Sequence, residues 1–208
     1  KPTMSRYTGP RLKVLRALGV DLPGLSRKSM QDRPNPPGQH GLRKMSGRKS
    51  EFGLQLMEKQ KLRYNYGLTE RQLRRVVVDA KKHRGATGNK LVELLERRLD
   101  NLVFRAGFAP TIPAARQLVS HGHMALNGRR VTIPSIRLRV GDSFGPTGQG
   151  KKIDLVRTTL EAPALERPEW IALDSATQTA RLSHLPESDA APFPLDLQRI
   201  VEYYATRL

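Results

Sequence analysis

"LLERRLDNLVFRAGFAPTIPAARQLVSHGHMALNGRRVTIPSIRLRVGD", residues 94–142, is the stretch on which the fold turns. Its first half carries a helical stripe. Leu91, Leu94, Leu95, Leu99, Leu102, Val103 and Ala106 recur at steps of three and four, as one long helix or two. Gly107 and Pro110 end it. Pro113 suits the first turn of a short helix over 113–121 and Gly122 its end, with Leu118 and Val119 inward and Arg116 on the opposite side. The period then changes to two. Asn127-Gly128 suits a type I′ hairpin turn, whose central residues both need positive φ. Val131 and Ile133 follow at spacing two, and Ile136, Leu138 and Val140 alternate with Arg137 and Arg139. One face of such a sheet is apolar and the other basic, and Gly141-Asp142 makes a second turn. A helix–helix–hairpin unit of this kind suits a surface that reads phosphates better than a reaction centre.

Outward from this unit, residues 51–66 read as a helix, and "LTERQLRRVVVDAKKHRG" reads as a clearer one. Thr69 three before Gln72 is a capping-box pattern. Leu73, Val76, Val77 and Ala80 form one apolar stripe, while Arg71, Arg74, Arg75, Lys81, Lys82 and Arg84 supply most of the remaining surface. Only Asp79 balances these cations, which favours phosphate contact over a merely solvated face. Residues 145–152, "GPTGQGKK", read as a turn or loop; the spacing departs from that of a phosphate-binding loop. Pro163 to Pro194 reads as loop-rich and mildly acidic. Residues 195–208 form an amphipathic helix through Leu197, Ile200, Val201, Tyr204 and Leu208, expected to dock on the body. Residues 1–50 are rich in Pro, Gly, Lys and Arg and poor in apolar surface, so they look unable to fold alone. A flexible tail and an arm that orders on a polyanion are both open readings.

The net charge of +18 is uneven. Residues 1–99 hold 24 Lys/Arg against 8 Asp/Glu, residues 100–150 hold 6 against 2, and residues 151–208 hold 7 against 9. A field so concentrated attracts a polyanion, most commonly nucleic acid. No apolar run approaches the roughly 20 residues of a membrane span, and no signal-peptide pattern precedes the basic start. The chain has no cysteine, which excludes disulfides and thiolate zinc sites and fits the cytoplasm. His40, His83, His121, His123 and His184 show no metal-ligand spacing, and no nucleophile motif is present, so neither metal nor cofactor is expected. Arg98-Leu99-Asp100 matches an R-L-D used by one class of pseudouridine synthase. The apolar stripe running through it marks Asp100 instead as a helix residue pairing a nearby arginine.

At these residues the chain resembles a known family. The pattern R-L-D-N, A-R-Q-L-V-x-H-G, N-G-x-x-V-x-I-P-S and G-D in residues 94–142 is similar to the RNA-binding module of the small-subunit ribosomal protein S-four family. That module is also appended to pseudouridine synthases, some tRNA synthetases and a heat-shock protein, so the flanks decide. "RYTGPRLKVLR" at 6–16, "PPGQHG" at 36–41, "EKQKLRYNYGLTERQLRR" at 58–75, "PEWI" and "IVEYYATR" resemble the same ribosomal protein. Many relatives carry a four-cysteine zinc site in the arm; this chain resembles the zinc-free branch.

The resemblance implies an α+β fold: a mostly helical domain, then a second domain with a small antiparallel sheet carrying the module. The expected boundaries are an arm over 1–50, a helical domain over 51–95 completed by the helix 195–208, and a second domain over 96–194 with the module at about 97–152. It further implies a structural, non-enzymatic protein of the small ribosomal subunit. Such a protein binds the 5′ domain of 16S rRNA early in assembly and neighbours proteins S-five and S-three where messenger RNA enters. There it influences decoding accuracy; some relatives also repress translation of their own operon. The rival readings are an RNA-modifying enzyme dependent on Asp100 and a general DNA-binding protein. The residues expected to meet rRNA are Arg6, Tyr7, Arg11, Gln39, His40, Lys44, Arg48, Lys49, Arg71, Arg74, Arg75, Arg84, Asn89, Arg116, Gln117, His121, Asn127, Arg129 and Arg130. Arginine offers paired donors to phosphate and Tyr7 a ring for a base; Asn127 also reads simply as a turn residue.

Overall fold

A computed structural model describes residues 7–31, 33–41 and 49–207. The chain divides into two compact units, one of residues up to Leu91 together with Ala191 onward, the other of Val92–Ala190.

The first unit is helical: α1 (Arg11–Leu18), α2 (Glu51–Asn65), α3 (Glu70–Lys81), the start of α4 (Thr87–Glu96), and the last helix of the chain, labelled α8 (Leu197–Ala205). The capping box of α3 is formed as expected. The Thr69 hydroxyl accepts from Gln72 N at 3.3 Å and Gln72 Oε1 accepts from Thr69 N at 3.0 Å. Leu73, Val76, Val77 and Ala80 are buried, and α8 packs along α2 with Ile200 and Tyr204 inward. The basic N-terminal region departs from expectation. Its residues 11–25 carry enough apolar side chains to fold onto this unit, with Val14, Leu15, Leu22 and Leu25 buried. Asn65 at the end of α2 accepts from Gly24 N at 2.9 Å, and Arg11 Nη1 donates to Leu25 O at 3.2 Å.

The second unit holds the rest of α4, then α5 (Leu99–Arg105), α6 (Ile112–Ser120), β1 (Met124–Leu126), β2 (Arg129–Val131), β3 (Ser143–Pro146), α7 (Asp154–Glu161), β4 (Ile171–Asp174) and β5 (Thr179–Leu182). Its five strands form an antiparallel sheet in the order β2-β1-β3-β5-β4. Leu99, Leu102, Val103, Phe108, Val119, Met124 and Phe144 make its core.

The apolar stripe from Leu91 to Ala106 is two helices. The break falls where Arg98 takes an extended backbone (ψ 138°). There the passing loop supplies partners: Leu99 N donates to Ile136 O at 2.8 Å, Asp100 N to Pro134 O at 3.0 Å, and Leu138 N to Arg97 O at 2.9 Å. That pairing also corrects the strand expected over 136–140. The segment is a loop holding one bridge, Arg98 to Arg137. Of its apolar side chains Leu138 is buried, while Val140 is 52% exposed, as is Ile133 (58%) at the end of the hairpin. The third strand lies instead at 143–146, where the reading of 145–152 as a loop began too early. Strands β4 and β5 lie within the stretch read as loop. The Asn-Gly turn is as expected, with φ of 49° at Asn127 and 77° at Gly128.

Candidate nucleic-acid interface

The apolar stripe of α3 faces the core, so its remaining positions face outward by helical geometry. Arg71, Arg74 and Arg75 are exposed and line a groove of about 650 Å³ with Glu70, Val78, Asp79 and Lys82. Among the described residues these three arginines make no ion pair or hydrogen bond, whereas Lys82 lies 3.8 Å from Asp79. The acid at the head of the groove is already spent. Glu70 sits in the first turn of α3, where a carboxylate complements the helix dipole. It accepts from buried Lys59 Nζ at 2.7 Å and from Tyr204 Oη at 2.7 Å. Partial burial pushes its pKa up. The hydrogen bonds from Lys59 and Tyr204, with the positive charges of Lys59 and Arg63, outweigh that and hold it below the usual carboxylate value. The phenol of Tyr204 is pushed well above its ordinary value by burial and then by the Glu70 carboxylate.

The first unit also exposes Gln39 and His40 in the turn before Gly41, Lys49, Arg84 and Asn89. Tyr7 is 41% exposed, its ring edge-on to Tyr64 at 5.3 Å and its hydroxyl donating to Pro10 O. Arg11 is exposed, and its Nη1 donates to the Leu25 carbonyl. Arg6, Lys44 and Arg48 lie outside the described residues.

In the second unit a buried ion cluster sets the arrangement. Asp100, fully buried, accepts from Arg98 Nε at 3.0 Å and Nη2 at 2.8 Å, and from Arg116 Nε at 3.0 Å and Nη2 at 2.7 Å. Asp100 is thus a helix residue paired with arginines, as its place in the stripe suggested. Arg116 is corrected: its side chain, 15% exposed, is held against Asp100 and does not project from the far side of α6. Gln117 and His121 are exposed at the end of α6. Asn127 is tied down through its side chain, accepting from Ser143 N at 2.8 Å and donating to Asp142 Oδ1 at 2.9 Å. Arg130 donates to Gly122 O and His121 O, while the Arg129 side chain is exposed and, among the described residues, makes no hydrogen bond or ion pair. Val78 and Lys82, absent from the expected contacts, join the groove; their helical register with Arg71, Arg74 and Arg75 was the available signal.

Fold and arginine placement together define a protein that presents an exposed basic surface on α3. The family described as "Ribosomal protein S4/S9 N-terminal domain" matches residues 6–96, and the "S4 domain" family matches residues 97–144. The protein named "Small ribosomal subunit protein uS4" of Methylobacillus flagellatus is 60% identical over 205 residues, covering 99% of this chain and all of its own. "Small ribosomal subunit protein uS4B" of Nitrosomonas europaea is 58% identical over the same share of each. A shorter "Ribosomal protein uS4-like" of Azoarcus sp. is 83% identical over 108 residues, 52% of this chain and 94% of its own. The chain belongs to the uS4 family of small ribosomal subunit proteins, whose members are structural parts of the ribosome and not enzymes.

Proposed function

We propose that this structural component of the small ribosomal subunit binds the 5′ domain of 16S rRNA directly and early, so that it nucleates assembly of the subunit. The observation that carries this reading is the row of Arg71, Arg74 and Arg75 beside an exposed groove, with Glu70 already neutralised by Lys59. Unpaired arginines on a rigid helix suit phosphates held at fixed spacing, and RNA is recognised by such shape more than by linear sequence. In the same reading, the arm and the helical part with α8 form the main rRNA-binding domain, and the second domain adds the module ending in the Asn127-Gly128 hairpin. The neighbours are proteins S-five and S-three beside the path by which messenger RNA enters, where contact with S-five bears on decoding accuracy. The basic surface also serves for binding folded messenger RNA in repression of its own operon.

The test is equilibrium binding to a 16S 5′-domain transcript over a salt series, with duplex DNA as competitor. Replacing Arg71, Arg74 and Arg75 together by alanine is expected to flatten the slope of log K against log salt by about two to three, because each phosphate contact contributes roughly 0.7–0.9. An unchanged slope removes the patch. Equal displacement of the intact chain by duplex DNA removes specific rRNA binding.

A further inference from the structure

We propose that Arg130 is a positioning residue: its guanidinium ties the β1–β2 hairpin to the end of α6, and thereby sets where its neighbour Arg129 meets an RNA phosphate. The proposal rests on the RNA-binding reading above. Sequence treats the two arginines of "NGRR" alike, and the structure separates them. Arg130 lies opposite Ala125 in the hairpin. Its Nε donates to Gly122 O at 3.0 Å and its Nη2 to His121 O at 3.2 Å. Both carbonyls lie just past the last turn of α6, the negative end of its dipole, where helices leave acceptors unpaired.

Gly122 shows that the fit is close. It holds a left-handed φ of 73°, and a Cβ built on it would overlap the Arg130 guanidinium. The cation therefore occupies the space a side chain at 122 would need. The far end of the hairpin is fixed separately, through the Asn127 bonds to Asp142 and Ser143. Between these two anchors the exposed Arg129 side chain is left without a partner among the described residues. One arginine spends its planar fork on the protein, and the adjacent one keeps its fork for a ligand.

The two roles differ in a measurable way. A residue that neutralises a phosphate releases counterions, and its loss lowers the salt dependence. A brace lowers the ordering cost of binding and changes affinity equally at every salt concentration. The experiment uses the full chain and the 16S 5′-domain transcript, with R129A, R130A and R130K measured across a salt series. Amide hydrogen exchange of the hairpin is measured in each free protein. R129A is expected to reduce the slope by about 0.7–0.9. R130A is expected to keep the slope and lose affinity about fivefold throughout, the order of an ordinary hydrogen bond's net contribution. R130K should resemble R130A, because an ammonium keeps the charge but lacks the fork that spans two carbonyls. Exchange over 124–131 should quicken in both Arg130 variants and not in R129A. A slope change in R130A equal to that of R129A overturns the proposal, as does full affinity in R130K or unchanged exchange. Failure of the unaltered chain to prefer the transcript over duplex DNA defeats the RNA reading instead, while the exchange data still judge the brace.

Discussion

Replacing Tyr204 by phenylalanine removes one atom from a junction of three helices. The Tyr204 ring is buried, 2% exposed, and its hydroxyl donates to Glu70 at 2.7 Å; Lys59 takes the other carboxylate oxygen at the same distance. A hydrogen bond to a charged group contributes about 1.5–3 kcal/mol in favourable settings. The Glu70 side chain is 45% exposed, so water replaces part of what is lost. We therefore expect Y204F to cost about 1–1.5 kcal/mol, a fall in Tm of roughly 3–5 °C for a chain of this size. Urea and thermal unfolding followed by circular dichroism measure it. The pH profile sharpens the case. The pKa of Glu70 is lower folded than unfolded, so its contribution is complete at neutral pH and is lost as pH falls through the folded value. The pKa of Tyr204 is raised, so its contribution holds below pH about 10 and is lost in alkali. Y204F should remove Tyr204's share of the alkaline loss and flatten the acid one. A double-mutant cycle with Glu70→Gln isolates the pair. A coupling energy near zero, with both single variants destabilised, would refute the reasoning that this contact joins α8 to the head of α3.

Two other outcomes follow from burial. Asp100→Ala removes the buried carboxylate that Arg98 and Arg116 share, and should cost about 3–5 kcal/mol in chemical denaturation; a loss under 1 kcal/mol would mean the cluster is dispensable. Ending the chain after Asp196 removes the buried side chains Ile200 and Tyr204, worth about 1.5–3 kcal/mol each, and should lower the melting temperature of the first unit markedly; an unaltered melt would show that α8 does not support it.

Much of this architecture was legible in the sequence wherever local chemistry agreed with tertiary packing. Thr69 and Gln72 capped α3 as their spacing implied, and Asn127-Gly128 made the hairpin turn because positive φ admits few other pairs. The failures share a cause. The break at Arg98 depends on carbonyls of Ile136 and Pro134 that lie nearly 40 residues away in the chain, and no local pattern announces such a partner. Strands β3, β4 and β5 are four residues each, too short for alternation to stand out. The charged surface was legible as composition but not as geometry. Arg116 and Arg130 look as free as Arg71 in the sequence, yet Asp100 holds one and the end of α6 holds the other. What separates a phosphate contact from a brace is the partner supplied by another segment.

The division of the chain has a consequence for its synthesis. The sheet-bearing unit is continuous, Val92–Ala190, while the helical unit needs both early residues and α8. Chains emerge from the N-terminal end at about 5–20 residues per second. The unit begun second is therefore complete first. The helices around Leu62 and Leu73 wait roughly 6–28 seconds, over about 130 to 140 further residues, for Ile200 and Tyr204 to reach them. During that interval the most cationic part of the nascent protein is incompletely packed, in a cell crowded with other RNA. A prompt encounter with its own RNA, or a chaperone that shields the helices until translation ends, would carry the largest benefit then.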